Sequence, residues 1–377
     1  MNSENRSNSP SLICAVVKLR LRVHECGIKI GRLEAGERNS ITDVRGVSVG
    51  HVTLIRGEGK LTPGRGPVRT GVTVVLPHEG NIFREKLRAG VHVQNGAGEL
   101  TGALQVMEWG VMETPIALTN SLNVGLVHDA LVEYMVQRTP EIGRGGGVIL
   151  PIVGECDDSY LNDIQGRHVK HEHVLQAAES ATEKVAEGSV GAGTGMSALG
   201  FKAGIGTASR RTDTKPDNYT VGALVLANFS GDLHVDGVPV HRQIETVNNL
   251  PRSSRSIITV LATDAPLTSM QLRRLAARVP LALGRVGSTS ANSSGDIAIA
   301  FSTAQRIGPS LTPIQPSTSA VSSEGLDELF RAAIEATEEA ILNSIFKSET
   351  MQGRDGNVSH GLPVDEVTDI MKKHGSA

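Results

Sequence analysis

The sequence predicts an α/β protein in which sheets lie in layers and helices cover them. Short runs rich in β-branched residues recur along the 377-residue chain, and segments with apolar residues at helical spacing alternate with them in blocks. Such blocks are typical of layered sheets with helices packed on their outer faces. Neither an internal repeat nor a clean linker divides the chain. We therefore expect one domain over residues 38–345, an extension at 1–37 and a weakly ordered tail at 346–377.

Seven segments are predicted as strands from alternating or continuous apolar residues. They are residues 39–51 (as strand–turn–strand), 70–77, 115–120, 145–154, 221–228, 257–262 and 296–302. Residues 95–102 form a glycine-rich turn. Helical spacing of apolar residues predicts four helices: 123–137, 174–188, one that begins after a capping box at 268–271, and 326–341. Residues 308–323, rich in Pro, Ser and Thr, are predicted as a surface loop.

Composition limits the class of protein. Apolar residues make up 39% and charged residues 20%, as in globular chains. A net charge of −3 and only 3% aromatic residues argue against nucleic acid as a partner. The apolar run 12–17 is too short for a membrane span, and basic residues follow it in an order unlike that of a signal peptide. Sparse cysteines without metal spacing favour a reducing compartment, so we expect a cytoplasmic protein.

Two clusters of residues suggest ligand sites, but the spacing of their residues does not fit such sites. Residues 188–206 are rich in glycine, but Met196 stands where a dinucleotide fingerprint needs glycine, and Phe201-Lys202 stands where a phosphate loop needs Lys-Ser/Thr. A bend that brings backbone close to a pocket is favoured over nucleotide binding. Three histidines lack the spacing of a metal site and are predicted to lie at a solvated helix end. They are His168, His171 and His173.

Ser256 stands at an abrupt loop-to-strand junction. A polar segment ends at Arg255, and the apolar run 257–262 follows Ser256. If the chain were cut between Arg255 and Ser256, one residue would carry both a hydroxyl nucleophile and a free α-amine as its base. A serine that simply begins a strand is the alternative interpretation.

Other residues able to support catalysis stand at predicted strand ends. The amide of Asn228 could donate to an oxyanion, and the carboxylate of Glu155 could bind a substrate ammonium. Ser294 and Asp296, separated by one glycine at the head of a strand, could orient the amine of a nucleophile. Taken singly, each of these residues also fits ordinary turn chemistry or a surface acid after a strand.

Together the motifs resemble the L-aminopeptidase/D-esterase family, which includes the β-peptidyl aminopeptidases and resembles the N-terminal-nucleophile hydrolases. Six matching segments occur in order: residues 41–47, 67–73, 191–210, 256–267, 284–287 and 294–304. The resemblance implies a four-layer α/β/β/α sandwich and a precursor that cuts itself before the nucleophile. It also implies that the two pieces stay together in a homo-oligomer, a tetramer of processed heterodimers, without a metal or organic cofactor.

The resemblance also implies roles for individual residues. Ser256 resembles the nucleophile, and Ser294 and Asp296 resemble the residues that hold its amine and hydroxyl. Asn228 resembles the oxyanion donor, and Glu155 the site for the N-terminal ammonium of the substrate. The implied activity is that of a serine aminopeptidase acting on peptides, amides or esters.

Two positions depart from the family pattern. Arg255 replaces the glycine that typically precedes the nucleophile, and Asp157 replaces a tyrosine in the substrate site. We expect the charge of Asp157 to raise the pKa of Glu155. Because arginine crowds the scissile peptide, one alternative is an unprocessed, inactive relative that acts as a binding or assembly protein. The other is an acyltransferase of the ornithine acetyltransferase type, although that group uses a threonine nucleophile.

Overall fold

The computed structural model describes residues 20–213, 218–244, 256–308 and 321–375. In these ranges the α-helices are α1 (Ala103–Trp109), α2 (Val124–Arg138), α3 (His171–Glu179), α4 (Ser269–Ala276), α5 (Val279–Arg285), α6 (Ser323–Phe346) and α7 (Val364–Lys373). The strands are β1 (Ser48–Arg56), β2 (Val68–Leu76), β3 (Lys86–Gly96), β4 (Val111–Met112), β5 (Ile116–Asn120), β6 (Ile152–Cys156), β7 (Ser197–Ala198), β8 (Phe201–Lys202), β9 (Ile205–Arg211), β10 (Thr220–Asn228), β11 (Ser256–Thr263), β12 (Gly295–Ile307), β13 (Met351–Gln352) and β14 (Val358–Ser359).

Two sheets pack face to face at the centre of the molecule. The smaller has the order β1-β2-β5-β6 and the larger β4-β3-β12-β11-β10-β9. Helices α2 and α3 cover the smaller sheet, and α4 and α6 cover the larger one. Strand β6 lies against β10 and β11 across the interface between the sheets. The predicted four-layer α/β/β/α sandwich is therefore confirmed.

Strand β11 shows how the sequence specifies this layering. All eight of its residues are buried, as expected for a central strand covered on both faces. Ile257 and Leu261 join the core beneath the helices, whereas Ile258 and Val260 join the core that includes the smaller sheet. Successive side chains of a strand point to opposite faces, so Ser256 points with Ile258 into the space between the sheets.

Helix α6 lies where the 326–341 periodicity predicts a helix, but it is not covered on one face only. Every residue from Glu335 to Phe346 is buried. Glu335 accepts hydrogen bonds from the backbone nitrogens of Arg32 and Leu33, at 3.0 and 2.9 Å, so the described part of the predicted N-terminal extension, residues 20–37, contacts this helix. Although α6 has 24 residues, neither it nor another described helix is apolar enough over a sufficient length to cross a bilayer.

The C-terminal segment predicted to be weakly ordered instead forms a hairpin, β13–β14, followed by α7. The apolar side chains of α7 are buried in the core beneath the larger sheet. The prediction was wrong because it overlooked Val364, Val367, Ile370 and Met371, which recur at helical spacing and pack against the rest of the fold. The predicted loop 308–323 lies largely outside the described residues.

Three predicted boundaries were also wrong for local reasons. Residues 41–43 form a 3-10 turn capped by Ser40 rather than a strand. The strand predicted at 145–154 begins only at Ile152, because Gly145 and Gly147 have φ values of 101° and 88° that interrupt extended backbone. Helix α3 ends at Glu179 because Thr182 exchanges backbone hydrogen bonds with Val49 of β1.

Candidate active site

Strand register places Ser256 between two other predicted site residues. Its antiparallel partner on β10 is Asn228, and its parallel partner on β12 is Gly295. Adjacent strands lie roughly 4.8 Å apart, so the three residues sit side by side at one end of the larger sheet. Ser256 is 4% exposed, and its hydroxyl oxygen accepts a hydrogen bond of 3.2 Å from the Gly295 nitrogen. Arg255 lies outside the described residues.

The Ser294–Asp296 turn forms a polar cluster beside this serine. The Ser294 hydroxyl donates to Asp296 Oδ1, and Asn95 Nδ2 donates to Oδ2 at 2.9 Å. Burial raises the pKa of Asp296, and the hydrogen bonds from Ser294 and Asn95 oppose that rise. Gly295, between the two polar residues, places this pair next to the start of β11.

The side-chain amide of Asn228 is held on both sides. Its Oδ1 accepts from the Ser197 nitrogen at 3.0 Å, and its Nδ2 donates to the Asp157 carbonyl at 2.8 Å. A donor on one side and an acceptor on the other fix the orientation of the amide. An amide nitrogen carries two hydrogens, so one remains beyond the bond to Asp157.

Glu155 approaches from the smaller sheet, where it is the next-to-last residue of the fully buried strand β6. It is 6% exposed; Oε1 accepts from the Glu99 nitrogen at 2.9 Å, and Oε2 accepts from the Ser121 hydroxyl. Burial raises the pKa of Glu155, and these two hydrogen bonds oppose the rise. The charge of half-buried Asp157 also raises this pKa, as expected, but contributes less than burial.

A close backbone crossing brings Glu155 to the larger sheet. A β-carbon on Gly98 would lie 3.1 Å from Gly295 Cα and 3.3 Å from Glu155 Oε1. Both atoms therefore lie next to Gly98, and a side chain at that position would require its neighbours to shift by a few tenths of an ångström. Cys156, next in β6, donates its thiol to the Ser256 carbonyl oxygen at 3.3 Å. The structure thus brings all the predicted site residues that it describes to one end of the sandwich.

Several residues that hold this site were not predicted from the sequence. Asn95, Ser121 and the backbone N–H groups of Glu99 and Ser197 all bind predicted site residues. Asn95 and Ser121 each stand at the end of a strand, which is the signal that identified the other candidates. Backbone N–H groups leave no trace in residue identity, so nothing in the sequence pattern could have revealed them.

The glycine-rich segment and the three histidines, which the sequence did not support as ligand sites, make other contacts in the structure. In the glycine-rich segment 188–206, a 3-10 turn and strands β7 and β8 pass close to Asn228. The three histidines bind three different partners: His168 contacts Asp163, His171 contacts Glu133, and His173 accepts from the Lys170 nitrogen. Across the described ranges, no three His, Cys, Asp or Glu side chains are grouped so that they could hold a metal ion.

Comparison with known proteins agrees with this geometry. The family model described as peptidase family S58 matches residues 39–359. The chain is 43% identical over 357 residues to beta-peptidyl aminopeptidase BapA of Sphingosinicella microcystinivorans, an alignment that covers 90% of this chain and 89% of the relative. A crystal structure from Pyrococcus horikoshii OT3 matches with a TM-score of 0.90 and 51% identity, over 95% of this chain and 100% of the other.

A second solved structure bears on the fold. The L-aminopeptidase D-Ala-esterase/amidase of Ochrobactrum anthropi matches with a TM-score of 0.85 and 37% identity, over 94% of this chain and 99% of the other. Its fold is described as a variant of the Ntn hydrolase fold. These matches confirm both the sandwich architecture and the resemblance found in the sequence motifs. The chain belongs to peptidase family S58.

Proposed function

We propose that the protein is an aminopeptidase whose nucleophile, Ser256, becomes an N-terminal residue when the chain cuts itself after Arg255. The position of Ser256 carries this proposal, because it heads a central strand between Asn228 and the Ser294–Asp296 pair. Family membership and the relative named as a β-peptidyl aminopeptidase support hydrolysis at peptide N-termini. Peptides with a free N-terminus, including those with β-residues, are the proposed substrates.

The proposed self-cleavage begins with attack of Ser256 Oγ on the carbonyl carbon of Arg255. A C–O bond forms, the C–N bond of the peptide breaks, and the hydroxyl proton passes to the departing nitrogen. Water then hydrolyses the ester, which frees the Arg255 carboxylate and restores the hydroxyl. The new α-amine has an ordinary pKa of about 7.7–8.0, so a minor but useful fraction is neutral near pH 7.

The same groups then act on a substrate. The neutral amine takes the hydroxyl proton as Ser256 attacks the scissile carbonyl, and returns it to the leaving amine as the C–N bond breaks. Water then hydrolyses the acyl ester on Ser256, which releases the N-terminal residue as a free acid and restores the hydroxyl. The second hydrogen of Asn228 Nδ2 faces the developing oxyanion. Glu155 pairs with the ammonium group of the substrate, which limits cleavage to the N-terminal residue. Ser294 and Asp296 hold the amine of Ser256 in place.

Intact-mass measurement of the purified protein tests the proposal. We expect two components, residues 1–255 and 256–377, and no full-length chain. Under native conditions the components should appear together, in particles that contain more than one processed pair. A protein that stays intact but hydrolyses aminoacyl anilides would rule out the terminal-amine mechanism. A protein that is intact and inactive would instead support the unprocessed relative.

Replacement of Glu155 by glutamine should raise KM by about 10- to 150-fold, since a hydrogen bond to a charged group contributes about 1.5–3 kcal/mol. Protonation of Glu155 removes the same negative charge as the substitution and should raise KM in the same way. Because the pKa of Glu155 is raised above 4.5, KM of the wild type should increase as pH falls, and should begin to do so above the range of an ordinary glutamate. In Glu155→Gln this acidic increase in KM should be absent.

Glu99→Gln is the matched control for this measurement. Glu99 is exposed; its backbone N–H donates to Glu155, and its charge is the smallest of the causes that raise the pKa of Glu155. The control therefore removes an equal charge nearby while the hydrogen bond stays. We expect its KM to stay within about twofold of the wild type near neutral pH, with the acidic increase in KM still present. Equal increases in KM in both variants would mean that long-range charge, rather than direct pairing with Glu155, binds the substrate ammonium.

A further inference from the structure

The C-terminal hairpin, residues 351–360, contacts both segments that bind the Asn228 side chain. We propose that this hairpin is a positioning element of the active site: it joins the two loops that hold the Asn228 amide, and Ser359 is its main positioning residue. This inference rests on the proposed role of Asn228 as oxyanion donor. It adds to that role a segment that contains none of the residues implied by the sequence motifs.

Each of the two loops supplies one hydrogen bond to the amide. The first loop, residues 157–162, provides the Asp157 carbonyl that accepts from Nδ2 at 2.8 Å. The second loop, residues 196–203, provides the Ser197 nitrogen that donates to Oδ1 at 3.0 Å. The direction of the remaining Nδ2 hydrogen therefore depends on where both loops stand relative to β10.

The hairpin contacts three consecutive residues of the first loop. Arg354 Nε donates to the Ser159 carbonyl at 2.6 Å, and Asn357 Nδ2 donates to the Tyr160 carbonyl at 2.8 Å. The backbone nitrogen of Arg354 also donates to the Leu161 carbonyl at 3.0 Å. Three carbonyls in succession are thus held from outside the loop, beginning two residues after the carbonyl that binds Asn228.

The hairpin contacts the second loop through its other strand. The hydroxyls of Ser359 and Ser197 are 2.8 Å apart and both residues are buried, so water does not readily replace this bond. The His360 carbonyl accepts from the Lys202 nitrogen at 2.7 Å. Lys202 is itself fully buried, and its ammonium donates to the Met196 carbonyl at 2.8 Å and to two further carbonyls of the same bend. The second loop is therefore held by several buried hydrogen bonds, and the hairpin contributes two of the bonds that position it.

The hairpin is in turn fixed to the core. Leu362, which follows it, is 1% exposed, and Val367 and Met371 of α7 are fully buried beneath the larger sheet. Core packing therefore sets the position of the hairpin, and the hydrogen bonds of the hairpin in turn position both loops. Because catalysis by an oxyanion donor depends on sub-ångström placement, a loosened hairpin should reduce turnover before it reduces substrate binding.

Ser359→Ala tests this proposal, since it removes only the hydroxyl between the hairpin and Ser197. We expect kcat to fall by roughly 10-fold while KM stays within about twofold, with rates normalised to the processed fraction. The matched control is Ser348→Ala, which removes another buried serine hydroxyl of the C-terminal segment. That hydroxyl donates to the Ser344 carbonyl within α6, so the control should leave kcat unchanged. Asn357→Ala, which acts through the first loop, provides a second variant if Ser359→Ala does not fold.

A double-mutant cycle with Asn228→Ala distinguishes positioning from general destabilisation. If Ser359 acts through Asn228, then Ser359→Ala should cause no further loss of kcat in the Asn228→Ala background. Should Asn228→Ala process too slowly to assay, the rate of self-cleavage, followed by intact mass, is compared in the same cycle.

Two results would overturn the inference alone: an equal fall of kcat in both backgrounds, or unchanged kcat in both Ser359→Ala and Asn357→Ala. Full kcat in Asn228→Ala itself would overturn the oxyanion role in the proposed function, and the positioning role with it.

Discussion

Ser256→Ala is expected to remain a single 377-residue chain and to lose aminopeptidase activity by about 10⁶-fold, as other serine hydrolases do without their nucleophile. The substitution removes the hydroxyl that both cuts the chain and attacks the substrate. Without the cut, no free α-amine forms, so the base is lost together with the nucleophile. Intact mass reports the first effect, and hydrolysis of an aminoacyl anilide reports the second.

Ser256→Cys provides the comparison, because a thiol retains a nucleophile at the same position. We expect it to be cut, at least slowly, and to keep more activity than the alanine variant. Since the wild-type hydroxyl accepts only one 3.2 Å hydrogen bond from a described residue, Gly295, its removal should change the melting temperature by only a few degrees. Activity of Ser256→Ala within tenfold of the wild type would show that another residue is the nucleophile.

Asn228→Ala is expected to lower kcat by about 10²–10³-fold, equivalent to about 2.7–4 kcal/mol of transition-state stabilisation, with little change in KM. The reason is that the oxyanion exists only in the transition state and its neighbouring intermediate. Steady-state kinetics of the processed protein measure both constants.

Asn228→Asp separates loss of the donor from loss of structure. Its carboxylate can still accept the Ser197 N–H but cannot donate to an oxyanion, and it adds a negative charge where negative charge develops. We expect kcat to fall at least as far as in the alanine variant. Recovery of kcat in Asn228→Asp would mean that the residue supports the second loop and does not take part in catalysis.

The sequence predicted those parts of the fold that have a strong local signal. Strands β2, β5, β10, β11 and β12 and helix α2 lie at or near their predicted positions, because each combines a clear apolar pattern with a defined end. Strand β3 was not predicted because its C-terminal half carries exposed residues and runs into the glycine-rich turn predicted at 95–102. The hairpin β13–β14 has two residues in each strand, which is too short for any periodicity.

The sequence predicted the main side chains of the candidate site but not the groups that hold them in place. Ser256 begins β11, Asn228 ends β10 and Glu155 is next to last in β6, so their positions follow from strand boundaries. Their mutual proximity depends on strand order and register, in particular on the parallel pairing of β11 with β12, which no local pattern encodes. The resemblance to a known family supplied that information instead.

The strands of the larger sheet come from both sides of the proposed cut. A cut before Ser256 would leave β3, β4, β9 and β10 on one product and β11, β12 and the helices α4 to α7 on the other. Neither product could then complete the central layer alone, since each would expose an unpaired strand edge in its hydrophobic interior. The two products would behave as a single cooperative folding unit, and dilution would not separate them.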